Sequence, residues 1–429
     1  MRNFLLFVYL LKGLFLFAQV SPQRIDTTAA AECKTSLYTE FKKKFEVVNK
    51  NITYSNSAER NIIKEVFNET QNEFLERIKN GEFLCNSDVN PYLQGIFNEI
   101  LNKNNINTAD YKILLSKDSE VNASNLGNGI VVLNYGMFLA LDNEDELAFV
   151  ISHEVGHQFL NHVKNQIENF AKISTSEDII KKTKEIQKQK YGKATKANDL
   201  LKTIVYQNYS QRRKKEIAAD SLGLVFYKKT LRNPKAALAI LEKLDTVDEE
   251  KDSLSVKDYK AFFEKTDFKI KDKYFTEEES LFKQYDGERR LHIDSLKSHP
   301  DCAARIKLVQ NMIQNPLQEK VTVSKAFTEI KQHSIYQNLF NLYSQKQYGP
   351  SLYESLKLYK NDKANTFYKS IIYLNLQEIY KSRRNYTINR YVQSYDKKQN
   401  TASENRFITF INNIQITDLE IITTTFKPS

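Results

Sequence analysis

The chain contains no tryptophan and few of the residues that interrupt regular secondary structure. Its 429 residues include only 11 glycines, 7 prolines, 3 cysteines and 3 methionines. Long stretches without glycine or proline favour helices over a strand-rich fold. After the N-terminus, no apolar run reaches the roughly 20 residues of a membrane-spanning helix, which argues against an integral membrane protein. We therefore expect a large globular protein rich in helix.

The positive net charge gives little information about function. Lysine and arginine exceed aspartate and glutamate by 10. The lysines are dispersed among acidic residues, and the densest basic run, residues 181–196, has the pattern of a solvated helix face. We therefore expect no nucleic-acid partner.

Residues 1–18 have the parts of a secretory signal peptide. Arg2 supplies the charged start, residues 3–17 are mostly apolar, and Ala18 offers a small residue at the cleavage site. Lys12 interrupts the apolar run, which favours cleavage over the alternative of an uncleaved membrane anchor. The prediction is an exported protein of the periplasm or cell envelope, or a secreted one, without a transmembrane span after cleavage.

Three cysteines remain in the predicted mature chain: Cys33, Cys85 and Cys302. Export to an oxidising compartment would allow a disulfide between Cys33 and Cys85, with Cys302 left over. Three unpaired thiols are the alternative.

Short apolar stretches predict a small sheet in the middle of the chain. Residues 111–115 form one such stretch, and the β-branched residues 130–133 form another, bounded by glycine. Helical spacing precedes them in residues 61–78 and 91–101. We expect the sheet to pack against the helix that follows it.

That helix, within residues 142–162, carries the sequence His153-Glu154-Val155-Gly156-His157. Histidines four residues apart lie on one helix face and can bind one metal ion, while the glutamate can reach a metal-bound water. Asn143 with Glu146 three residues later predicts a capping box at the start of the helix. The motif is short, so a metal site also needs a third ligand.

Three known spacings could supply that ligand. A metzincin would need glycine and histidine where Leu160 and Val163 stand, and Glu177 lacks the flanks of a thermolysin-like ligand. Glu216 and Asp220, four apart with two alanines between them, predict a second helix that can approach the first closely. Glu216 would bind the metal, and Asp220 would accept a hydrogen bond from a ligand imidazole.

These motifs together resemble the minigluzincin metallopeptidases. This group includes CAAX prenyl endopeptidases, HtpX-type heat-shock proteases and periplasmic outer-membrane quality-control proteases. Asn122-Ala123 followed by Gly127-Asn128-Gly129 is similar to the group's substrate-side strand, and residues 144–148 are similar to its lead into the metal helix. Ser298-His299-Pro300 followed by Arg305-Ile306 is similar to a late element, although Asp301 departs from the common proline. The resemblance covers about residues 91–309.

The resemblance implies a role for each matching residue. One Zn²⁺ per chain would be bound by His153, His157 and Glu216, with Glu154 as general base, His299 as stabiliser of the oxyanion, and Asp220 behind a ligand histidine. An extended protein substrate would pair with residues 130–133. The implied substrate-binding residues are Asn122, Ala123, Gly129, Ile130 and Val131. His162, about 180° from His153 on the helical wheel, is expected to have a surface or packing role.

The resemblance also implies the fold class: mostly α with a small β-sheet (α+β), in which a zincin-like domain is built around the metal helix. After the signal peptide at 1–18, we place an N-terminal helical segment at 19–89, the zinc metallopeptidase domain at 90–314 and a helical C-terminal domain at 315–429. The last of these has the pattern of either a tetratricopeptide-like array or a generic helical bundle. Its final stretch, residues 406–428, also has strand character.

Three functions are compatible with these features. The first is a zinc endopeptidase that acts on misfolded or membrane-associated proteins of the cell envelope. The second is a chaperone-like scaffold that binds partners through its helical C-terminal region and has restrained peptidase activity. The third, a peptidase for one maturation step as in the prenyl endopeptidases, is disfavoured because those enzymes span the membrane several times.

Overall fold

The computed structural model describes residues 31–85, 88–247, 249, 253–277, 302–313, 321–397 and 399–427. The predicted signal peptide and His299 lie outside these ranges, so the predictions for them remain predictions. Among the helices of the described ranges, none combines the length with the apolar character that a bilayer span requires.

Helices dominate the described chain, as the scarcity of glycine and proline predicts. The elements up to the sheet are helices α1 (Ala31–Lys50), α2 (Ser57–Lys79) and α3 (Val89–Lys103) and strands β1 (Lys112–Ser116), β2 (Ala123–Gly127) and β3 (Ile130–Asn134). Helices α4 to α12 span Met137–Ala140, Glu144–Phe159, His162–Ser174, Glu177–Lys188, Lys193–Ser210, Arg212–Lys228, Lys235–Asp245, Val256–Phe263 and Cys302–Met312. Helices α13 to α17 span Lys325–Ser344, Tyr348–Asn361, Thr366–Arg384, Ala402–Asn413 and Ile416–Thr425. The predicted fold class is confirmed.

The sheet has the strand order β1-β3-β2, with β1 parallel and β2 antiparallel to β3. All five residues of β3 are buried because helices cover both faces of the sheet. Val131 and Leu133 point into the core that contains α5, whereas Ile130 and Val132 pack with α1 and α2. The sheet therefore joins the N-terminal helices to the metal helix, α5.

This strand order corrects one prediction. The sequence predicts that an extended substrate pairs with residues 130–133, but β3 is the central strand and its backbone already pairs with β1 and β2. Ile130 and Val131 therefore have no edge to offer a substrate, and the prediction for them is wrong. β2 is the edge strand that contacts α5.

Helices α1 and α2 pack on the sheet through an aromatic cluster that contains Phe41, Phe45 and Phe74. A disulfide joins Cys33 in α1 to Cys85, 52 residues later, so the pairing alternative is the one present. A cross-link of this span stabilises a fold by roughly 2–4 kcal/mol, chiefly through the unfolded state. Cys302 is buried and takes no part in a disulfide.

The metal helix α5 and helix α9 cross at small residues. A Cβ atom added to Gly156 would lie 2.7 Å from the carbonyl oxygen of Ala219, and one added to Gly223 would lie 2.8 Å from the Cα atom of His153. The sequence predicts a close approach through alanines, and Ala219 is indeed at the crossing. Gly156 and Gly223 also allow this close approach, because without a side chain each lets the backbones of the two helices come into contact.

Residues 254–275 share an apolar core with helices α14 to α17. Leu254, Tyr259 and Phe263 pack in the same cluster as Leu352 and Phe410. The domain boundary near residue 315 remains a prediction. Residues 254–275 precede that boundary in the sequence, yet they pack with the helices that follow it. The strand predicted in the final stretch is wrong, because α16 and α17 occupy it.

Gly223→Ala should lower the free energy of unfolding by about 1–3 kcal/mol, because the added methyl group would press on the backbone of His153. The matched control is Gly95→Ala in α3, where no atom lies within 4 Å of the added Cβ. That change should leave stability unchanged or raise it by up to about 1 kcal/mol. Urea unfolding of both variants measures the difference, and equal effects would contradict the close crossing.

Candidate active site

The start of the metal helix is fixed by its cap. The side chain of Asn143 accepts a hydrogen bond of 2.9 Å from the backbone N–H of Glu146, which is one of the two hydrogen bonds of the predicted capping box. The Glu146 carboxylate accepts from the N–H of Asp142 at 2.8 Å and pairs with Lys243 at 2.7 Å. These contacts fix the rotation of the helix and so the direction in which its histidines point.

Three side chains place ligand atoms where one metal ion could be held. The Nε2 atoms of His153 and His157 are 3.0 Å apart, and each lies 3.4 Å from a carboxylate oxygen of Glu216. Ligand atoms of a tetrahedral zinc ion, bound at about 2.0–2.1 Å, are about 3.3 Å apart. The three residues predicted as ligands are therefore brought together, and their atoms fit zinc in type and in spacing.

A buried carboxylate orients the first of these histidines. Oδ1 of Asp220 accepts a hydrogen bond of 2.8 Å from Nδ1 of His153, which holds a proton on Nδ1 and leaves Nε2 as the nitrogen that can bind the metal once it has lost its own proton. The same carboxylate accepts from Nε of Arg305 at 2.6 Å. Asp220 thus lies where the sequence predicts it, behind a candidate ligand.

Arg305 also belongs to the candidate site, although the sequence analysis named it only as part of the late motif. Its side chain is buried and lies between two acids: it donates to Asp220, and its Nη1 is 3.6 Å from Oε2 of Glu216. The available signal was its place in the late Arg-Ile element. Spacing alone could not connect this element to Asp220, 85 residues earlier.

Burial and these ion pairs shift the pKa values of the site. Burial alone would raise the pKa of Asp220, but His153 and Arg305 lower it to about 2. Burial alone would lower the pKa of His153, but Asp220 raises it to about 10. The Asp220 carboxylate therefore stays ionised at neutral pH and is a strong acceptor for the imidazole.

His162 also comes to the site. Its Nδ1 lies 2.9 Å from Nδ1 of His157, the second candidate ligand. Burial and then the nearby Lys215 lower the pKa of His162 to about 4, so this imidazole is neutral. The helical wheel predicts a position away from His153 only if one helix continues to residue 162. Instead α5 ends at Phe159, and the chain turns before α6 begins at His162.

An apolar pocket opens beside His153 and Glu154. Glu154 is buried on α5, next to the histidines. The pocket is lined by residues from the β2 region and from helices α4, α5, α10 and α12: Val121, Asn122, Ala123, Met137, Phe149, Val150, His153, Glu154, Ile240, Leu241, Leu244 and Arg305. The lining is mainly apolar and lies directly beside the candidate base.

Of the other residues predicted to bind substrate, some line this pocket and one does not. Asn122 and Ala123 line the pocket. Gly129 does not: its N–H donates to Oε1 of Gln158 at 3.1 Å, and it adopts a positive φ of 75° in the turn between β2 and β3. Asn125, which the sequence did not single out, donates to the backbone oxygen of Glu154 at 3.1 Å and so ties β2 to the metal helix.

Glu216→Ala should abolish stoichiometric zinc binding, because it removes one of three donors and leaves Arg305 beside two histidines. The matched control is Glu177→Ala on α7, the glutamate that spacing alone had offered as an alternative, which should retain full zinc content. Metal analysis of the purified variants after dialysis gives the measurement. Stoichiometric zinc in the Glu216 variant would contradict the ligand assignment.

Comparison with known proteins agrees with this geometry. The sequence matches the family model described as Peptidase family M48 over residues 87–313, more than half of the chain. It is also 26% identical over 102 residues to a protein of Vibrio cholerae serotype O1 named "Putative beta-barrel assembly-enhancing protease". That match covers 24% of this chain and only 21% of the relative. The chain belongs to peptidase family M48, a family of zinc metallopeptidases.

Proposed function

We propose that the chain is an exported endopeptidase that hydrolyses peptide bonds in misfolded or membrane-associated proteins of the cell envelope, similar to the soluble periplasmic quality-control members of its group. The observation that carries the proposal is the triangle of donors from His153, His157 and Glu216 beside the buried Glu154. A base next to a metal position, open to a pocket for a side chain, is what peptide hydrolysis requires.

The residues divide the chemical work among them. When bound, zinc supplies a Lewis acid that polarises the scissile carbonyl and lowers the pKa of water. Glu154 would accept a proton from the attacking water and pass it to the leaving amine. Asp220 and Arg305 keep His153 in the tautomer that binds metal. His299 keeps its proposed role of stabilising the oxyanion.

The substrate would lie in an extended form along β2, the edge strand next to α5. Backbone hydrogen bonds to a strand recognise any sequence, so selectivity would come from side-chain pockets. The apolar pocket between Ala123, Val150 and Leu241 favours an apolar residue next to the cleaved bond. Exposed apolar residues are typical of misfolded proteins, which supports the proposed substrate class.

Two observations support an exported location. The disulfide between Cys33 and Cys85 suits an oxidising compartment. The matched relative from Vibrio cholerae carries a name that refers to β-barrel assembly.

Fractionation of cells that make the full chain should place the protein outside the cytoplasm, with an N-terminus near residue 19. The reason is that residues 1–18 have the charged start, apolar run and small final residue of a cleaved signal. N-terminal sequencing and immunoblots of the fractions provide the measurement. A cytoplasmic protein that begins at Met1 would refute the export.

Glu154→Gln should reduce digestion of unfolded casein by at least about 100-fold, because the amide cannot accept the proton of the attacking water. Zinc content should be unchanged, since no ligand is altered. The comparison with wild type separates the peptidase from the alternative of a chaperone-like scaffold. Equal inactivity of the two proteins, both with zinc bound, would favour the scaffold.

The same digest tests the proposed substrate preference. Mass spectrometry of the casein fragments should show an apolar residue on one side of most cleaved bonds, because the pocket beside Glu154 is lined mainly by apolar side chains. Cleavage sites without any such enrichment would remove the pocket from the proposal and leave the peptidase activity intact.

A further inference from the structure

The two candidate histidine ligands have different partners behind them. Nδ1 of His153 donates to the Asp220 carboxylate at 2.8 Å, whereas Nδ1 of His157 lies 2.9 Å from Nδ1 of His162. The turn after the metal helix creates this second contact. Leu160 follows α5 as its C-cap residue, Asn161 adopts the left-handed conformation with φ 52°, and His162 then begins α6 facing back toward the site.

The protons of this contact follow from the proposed metal site. An imidazole that binds metal through Nε2 is neutral and carries its one proton on Nδ1. Nδ1 of His157 is therefore a donor, and the hydrogen bond of 2.9 Å needs an unprotonated acceptor. Nδ1 of His162 supplies it when its own proton is on Nε2. The contact is thus a directed hydrogen bond rather than a clash of two donors.

We propose that His162 is a positioning residue for zinc binding: it holds His157 in the metal-binding tautomer and ring orientation, as Asp220 does for His153. The inference rests on the proposed function, because it needs the zinc site to exist. It extends that proposal to the more open side of the site, where the His157 side chain is 13% exposed against 5% for His153.

A positioning residue is needed on this side because His157 has less burial to restrain it. Without an acceptor, the imidazole can place its proton on Nε2, and that tautomer cannot bind the metal. It can also rotate about its side-chain bonds at little cost. Removal of a hydrogen-bond partner behind a metal ligand typically weakens metal binding by about 10- to 100-fold.

Ring packing is the competing explanation for the contact. The two imidazoles meet edge to face, with centroids 4.9 Å apart and planes at 76°. Aromatic packing alone would be preserved by phenylalanine, which has a ring and no acceptor. An acceptor without a ring is available in asparagine, whose Oδ1 stands close to the position of a histidine Nδ1. The two substitutions therefore separate the explanations.

The experiment measures the zinc dissociation constant of each full-length variant by competition with a chelating dye. His162→Phe should raise this constant by about 10- to 100-fold, whereas His162→Asn should stay near the wild-type value. His162→Leu has the shape of asparagine without the acceptor and should behave like the phenylalanine variant. His333→Phe on α13, the same exchange away from the site, is the control and should change nothing.

Each outcome has a definite meaning. Wild-type zinc affinity in His162→Phe would overturn the role of His162 and leave the zinc site standing. Equal loss in the asparagine, leucine and phenylalanine variants would also overturn it, since a general packing effect would then explain the contact. Failure of the wild-type protein itself to bind zinc would overturn the proposed metal site, and with it this inference. Circular dichroism confirms that the compared variants are folded.

Discussion

The close crossing of two helices is the constraint on which the rest of the site depends. Where α5 and α9 meet, glycine on each helix lets backbone touch backbone, and His153 stands at the contact. Glu216 and Asp220 are one turn apart on α9, so they reach opposite edges of the same imidazole: Glu216 lies 3.4 Å from Nε2 and Asp220 2.8 Å from Nδ1. One helix therefore supplies both a candidate ligand and the residue that orients another.

This arrangement buries acidic side chains, which is costly unless they are paired. Arg305, on the third helix α12, offsets this cost because its guanidinium contacts Asp220 and lies 3.6 Å from Glu216. The same device recurs at the start of the metal helix, where Arg232 and Lys243 contact the buried acids Asp145 and Glu146. Cations from elements distant in sequence thus pair with the buried acids at the start of α5 and with Asp220 behind His153.

The sequence predicted the local parts of this design and missed those that depend on neighbours. Glu216 and Asp220 could be found because spacing of four residues on a helix is visible in the sequence. The four apolar residues 130–133 of β3 were assigned to an edge, although burial of every side chain is typical of a central strand with both faces covered. The Ile- and Thr-rich end of the chain forms helices because burial against α15 and residues 254–275 outweighs its strand propensity.

By itself, the sequence determined the metal motif, the second helix with its two acids, the mostly helical class and the chemistry that these residues permit. All of these follow from residue type and periodicity over a few turns of chain. Only the tertiary structure decided that Arg305 supports Asp220, that His162 stands behind His157 and that β2 lies beside the site. Each of these depends on a turn, a crossing or a strand order that brings separate segments together, and no local pattern specifies such a distance.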